Sequence, residues 1–158
     1  VADDLLAPII VLAVDRLKST AAASGFFDSV ISHEPKSNPG PGLTFATWIV
    51  DIRPIALASG LAATTARMPM MCRIYLPMLA DPQDTIDTRV AVAGSYMLTQ
   101  LTGDFVLDGT DAWVDLLGAH GDPCAMQLGY VNELDDAEFR IGDIVVPFIC
   151  PDVFAQEA

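Results

Sequence analysis

The chain has 158 residues, 52% of them hydrophobic and only 18% charged, with a formal net charge of −13. A mean hydropathy of +0.41 on so acidic a chain is more apolar surface than one small domain of this length ordinarily needs, which predicts burial against other chains. Twenty-one carboxylates against eight Lys and Arg exclude a phosphate-binding footprint, while Cys72, Cys124 and Cys150, odd in number and without CxxC spacing, argue against a disulfide framework and fit a reducing cytosol.

One domain over 1–158 is expected, with an N-terminal helix in 1–24, a proline- and glycine-rich loop over 25–43, and a sheet with a second helix over 44–158. Leu6, Ile9, Ile10, Ala13 and Leu17 recur at helical spacing, so a helix should run from Asp4 to about Ala23. Leu5, Leu12 and Val14 widen its apolar surface. The apolar stretch Leu5–Val14 is too short to span a membrane and follows Asp3 and Asp4, so neither a secretory signal nor an anchor is expected.

From His33 to Gly42 three prolines and two glycines forbid helix and central strand. Thr44–Arg53 then alternates as a strand, with Ala46, Trp48, Val50 and Ile52 on an apolar face and Phe45, Thr47, Ile49, Asp51 and Arg53 on the other. Ala66–Leu76 repeats the theme, placing Ala66, Met68, Met70, Cys72, Ile74 and Leu76 together and Arg67, Arg73 and Tyr75 opposite. These two strands should pair through the connection Pro54–Thr65.

Asp81-Pro82-Gln83-Asp84 reads as a capped helix start, with Ile86, Val90, Ala93, Met97 and Leu101 as the buried stripe and Gly103 as the stop. Strand-like runs follow at Ala112–Leu117, Ala125–Val131, Glu138–Ile141 and Ile144–Cys150. Pro147 predicts an edge strand or a strand end for the last. The order predicts an α+β domain, mainly an antiparallel sheet with two helices packed on one face.

No constellation carries catalysis. His33-Glu34 lacks a second histidine at zinc-protease spacing and is followed by Pro35, and His120 lies in the turn-like Gly118-Ala119-His120-Gly121. Asp104, Asp108, Asp111 and Asp115 miss the spacing of a calcium loop and read as a solvated turn; Glu133, Asp135, Asp136 and Glu138 read as a charged hairpin tip. Gly40-Pro41-Gly42 leads into a strand and has no following Lys-Ser or Lys-Thr, so it is no phosphate loop. No metal or cofactor motif is present in the sequence. Asp51 and Arg53 on one strand, with Arg67, Arg73 and Tyr75 on its neighbour, offer either cross-strand ion pairs or a partner-facing surface.

The ordered string His33-Glu-Pro-Lys-Ser-Asn-Pro-Gly-Pro-Gly-Leu43, the strand through Trp48 to Pro54, Gly60-Leu-Ala-Ala-Thr-Thr-Ala-Arg67, Arg73-Ile-Tyr75 and Asp81-Pro-Gln-Asp84 continues through Asp115-Leu-Leu-Gly-Ala-His-Gly121, Gly129-Tyr130, Ile144-Val-Val-Pro147 and Asp152-Val153. Over roughly 33–154 it resembles the tail terminator proteins of long, non-contractile-tailed phages of actinobacteria. The resemblance implies a non-enzymatic α+β subunit of the virion neck, assembled in the host cytoplasm. There it forms a hexameric ring on the head-proximal end of the tail tube, with no cofactor. Its partners would be copies of itself, the major tail tube protein and the head connector, with DNA passing through unbound and no membrane involved. Candidate interface residues are His33, Glu34, Pro35, Lys36, Pro39, Asp51, Arg53, Leu57, Leu61, Arg67, Arg73 and Tyr75, drawn from the proline-rich loop, the hairpin tip Ala56–Ala63 and the charged strand face. A head-completion or stopper protein is the nearest alternative reading, and a small cytosolic enzyme with a carboxylate site the remote one.

Overall fold

The computed structural model describes residues 3–56, 63–103 and 105–155. In chain order these form helix α1 (Ala7–Ala23), strands β1 (Ser29–Ile31), β2 (Thr44–Ile49), β3 (Arg53–Ile55) and β4 (Ala63–Pro77), a 3-10 turn (Gln83–Thr85), helix α2 (Ile86–Thr102), and strands β5 (Trp113–Val114), β6 (Met126–Leu134) and β7 (Ala137–Ala155). The fold is α+β, and its seven-stranded sheet runs β1-β2-β4-β7-β5, with β3 also paired to β4 and β6 also paired to β7. All pairings are antiparallel except β1 with β2. No helix among the described residues is long and apolar enough to cross a membrane.

Helix α1 begins three residues later than its periodicity suggests, because Asp4 stands outside it as a cap. The Asp4 carboxylate accepts the N–H groups of Leu6 (3.1 Å) and Ala7 (2.9 Å), satisfying donors that the first turn leaves free. The expected stripe of α2 holds: Ile86, Val90, Ala93, Met97 and Leu101 are all buried. Its start differs. Asp81 makes no cap, Pro82 precedes the 3-10 turn, and regular α-helix begins only at Ile86.

The main buried cluster joins Ala13, Leu17 and Ala21 of α1 and the α2 stripe to Phe45, to the six alternating residues Ala66 through Leu76 of β4, and to Ile144, Val146, Phe148 and Cys150 of β7. A second cluster, of Ala46, Tyr75, Phe139 and Ile141 with Trp48, Val131 and Ile31 packed against it, contains strand and hairpin residues alone. The two faces expected on β2 are kept through Ile49, but the main core lies on the Phe45 side, and Ala46 and Trp48 share a face with Tyr75 instead. Phe45 enters the main core, Ala46 and Trp48 the smaller cluster, and Val50 and Ile52 stay 51% and 42% exposed. The strand expected over Thr44–Arg53 stops at Ile49 and resumes as β3 at Arg53.

Three further expectations are corrected. Strand β1, three residues long and parallel to β2, makes the proline-rich stretch a crossover between adjacent strands. The run Ala112–Leu117 contributes only Trp113 and Val114 to the sheet. The two runs at 138–141 and 144–150 are one 19-residue strand, and it is central, with β4 on one side and β5 and β6 on the other.

Pro147 does not force β7 to an edge, because Pro147 lies directly opposite Pro69 of β4, and each proline carbonyl turns outward. Pro69 accepts from Val50 N–H at 3.0 Å and Pro147 from Asp115 N–H at 2.8 Å. Since N and C=O of a strand residue point to the same side, the missing donors also face outward. They fall where β2 gives way to β3 and β6 to β5, so no ladder bond is lost.

Candidate interaction surface

The proline-rich loop lies across one end of the sheet. His33, Glu34 and Lys36 are exposed, Pro39 is half-buried and Pro35 is buried, so Pro35 anchors the loop and is not a free contact. Asn38 N–H donates to the Asp135 carboxylate at 2.8 Å, and the Asn38 side chain accepts from Gly40 N–H at 2.8 Å. The loop is thereby tied to the β6–β7 hairpin, whose tip residues Asp135 and Asp136 adopt positive φ of 55° and 58°. The charged hairpin tip expected there is present in Asp135, Asp136 and Glu138; the Glu133 side chain lies outside the described residues.

Asp51 and Arg53 pair with each other at 2.6 Å. This hydrogen bond from Arg53 holds the Asp51 carboxyl below its ordinary range and the guanidinium above its own. Leu57 and Leu61, and the tip of the expected hairpin contact, lie outside the described residues.

Arg67 and Tyr75 are not surface groups. Arg67 is 5% exposed. Its Nε stands 3.6 Å from the Asp115 carboxylate and its Nη2 donates to the Asp122 carbonyl at 2.6 Å. Asp115, expected to be solvated, is likewise buried and accepts the N–H groups of Ala119 (2.9 Å) and His120 (3.0 Å). The Gly118–Gly121 turn is thus clasped from beneath, with the His120 ring edge-on to Trp113 and Leu117 left 92% exposed at its surface. Asp104 lies outside the described residues.

Tyr75 is 1% exposed, packed edge-on against Phe139, and burial pushes its phenol pKa up. Arg73 faces Asp143 across the β4–β7 ladder in a bidentate pair (2.5 and 2.9 Å), which raises its pKa, and its guanidinium lies 5.6 Å from the Trp48 ring centroid. The cross-strand ion pair therefore exists, with β7 instead of β2. Asp143 escaped notice because it falls in the gap between two runs read as separate strands. Asp115 gave no local signal, because its carboxylate reaches N–H groups four and five residues on, beyond the two-residue reach of an ordinary aspartate turn.

Burial pushes the Cys72 thiol up to about 12 and those of Cys124 and Cys150 to about 11, so none is a thiolate nucleophile at neutral pH. Among the described residues no group of three or more His, Cys, Asp and Glu side chains is placed to hold a metal ion.

No family model and no curated protein matches the chain. One of the solved structures similar to it covers 95% of this chain and 94% of its own at 16% identity, with a TM-score of 0.49. A likeness of that size carries no argument about function.

Proposed function

We propose that this chain is a tail terminator: a subunit that joins copies of itself into a ring on the head-proximal end of a phage tail tube, ends tube growth and offers the head its joining surface, with no bond made or broken. The observation that carries the reading is apolar surface left over after the core is filled. Leu117 is 92%, Val11 59%, Tyr130 56%, Val106 53% and Val92 47% exposed, on a chain whose net charge of −13 would otherwise favour a wet, separate monomer. Scattered single residues are ordinary, but this many large ones suit a subunit that buries them on assembly. The ordered string of residues resembling tail terminators supplies the particular kind of assembly, and the acidity suits a path along which DNA slides without sticking.

Electron microscopy of particles made without the chain tests the reading. Overlong tails are expected. Tailless, leaking heads would assign the chain to head completion instead, and normal particles would remove it from the neck. Sedimentation with and without purified tail tubes should show a ring-sized species on the tubes.

A further inference from the structure

Three segments meet at one end of the sheet around an open groove of about 730 Å³ lined by Gly40 and Pro41 of the proline-rich loop, Pro77 at the end of β4 with Met78 and Leu79 just after it, and Ala137 and Phe139 of the hairpin, with Asp136 and Glu138 on its rim. Its walls are held in place. Asn38 N–H reaches the Asp135 carboxylate at 2.8 Å, and Met78 N–H donates to the Glu138 carbonyl at 3.0 Å. Such a volume is within the range of preformed ligand sites.

Charge selects the occupant. Asp136 and Glu138 are both exposed and no basic side chain lines the groove among the described residues. Much of the chain's own positive charge is held elsewhere: Arg53 by Asp51, Arg67 by Asp115, Arg73 by Asp143 and Arg140 by Asp87. An acidic segment would meet like charge at the rim, and a purely polar one would leave Leu79, 83% exposed, and Pro41 in water. We infer that the groove is a docking site for a short segment of another protein that sets an apolar side chain against Leu79 and Pro41 and a lysine or arginine against Asp136 and Glu138. Apolar anchor and complementary charge act together there, the anchor holding the segment and the charge choosing it. This stands whether or not the chain caps a tail tube.

The test uses a short fluorescent peptide with a leucine pair flanked by lysines, followed by anisotropy. Two control peptides carry serine in place of leucine or glutamate in place of lysine. The leucine–lysine peptide should bind, and the serine peptide should bind at least about ten-fold more weakly. The glutamate peptide should not bind. Asp136→Asn with Glu138→Gln should weaken binding by about ten-fold, and Leu79→Ser by a comparable factor. All three side chains are exposed, and asparagine tolerates the positive φ of Asp136, so the fold persists, as circular dichroism will verify. Equal binding of the serine peptide would reduce the effect to bulk charge. Unchanged binding by the variants, or none by the wild type, would overturn the site. Self-association of the unliganded chain that Leu79→Ser abolishes would give the groove to a second copy and end the proposal.

Discussion

Asp115 with Arg67 and Asp51 with Arg53 are both aspartate–arginine pairs, but they differ in the way that governs ion-pair energy. The Asp51 pair is the shorter, 2.6 Å against 3.6 Å, yet its side chains are 41% and 62% exposed where those of Asp115 and Arg67 are 3% and 6%. Water screens the first pair, and its removal costs little. The second is surrounded by protein, and Asp115 also holds two backbone N–H groups of the turn above it. Arg67 Nε has no hydrogen bond of its own, so its charge depends on a carboxylate held nearby. Distance measures contact; burial decides the cost of losing it.

The sharpest way to break this contrast is Asp115→Ala, which strands a buried guanidinium and frees the turn. It should destabilise the protein by about 3–5 kcal/mol, read from denaturant midpoints, and a loss below about 1 kcal/mol would show that Arg67 finds water. Next in size is an alkaline effect on another buried group. The Cys72 thiol is raised to about 12 in the fold from an ordinary value of 9.0, so its contribution is complete below pH 9. It then fades as pH climbs toward 12, by about 1 kcal/mol per pH unit. Melting temperature against pH should fall above 9, and Cys72→Ala should make that fall shallower, leaving the part due to Cys124 and Cys150.

Gly118→Ala probes the turn without touching charge. Gly118 has φ of 72°, and an added Cβ would stand 2.6 Å from the Gly121 carbonyl oxygen and the Pro123 nitrogen, both backbone. A cost of about 1–3 kcal/mol is expected, with the Trp113 fluorescence environment altered through His120. Smallest of all is Arg53→Ala, which should lower the neutral-pH melting temperature only slightly, because water screens the exposed pair. The lowered Asp51 pKa means that this small contribution is present above the unfolded carboxylate range and is lost as pH falls through the folded value, so wild type and variant should converge in acid. A large neutral-pH loss in this variant would erase the distinction between the two pairs.

What could be read in advance follows the same line between local and distant. The α2 stripe and the alternation of β4 repeat within a few residues, so periodicity alone places Val90 and Met70 in the core. Strand β1 has three residues and no alternation to display. Asp115 meets Arg67 from 48 positions away, and Asp143 meets Arg73 from 70; only the strand register brings them together. The groove belongs to the same class. Its prolines, its leucine and its two carboxylates come from three separate segments, each of which alone looks like a solvated connection.

The opposed prolines Pro69 and Pro147 have one more consequence. On both central strands they erase an amide where an outer strand would otherwise continue, so the sheet carries a seam crossing it from flank to flank. The flanking strands on either side of that line are separate pieces laid along a shared spine. Each piece keeps its own register on the spine, set on one side of the seam by Phe45 in the main core and on the other by the pairing of Arg53 with Arg67.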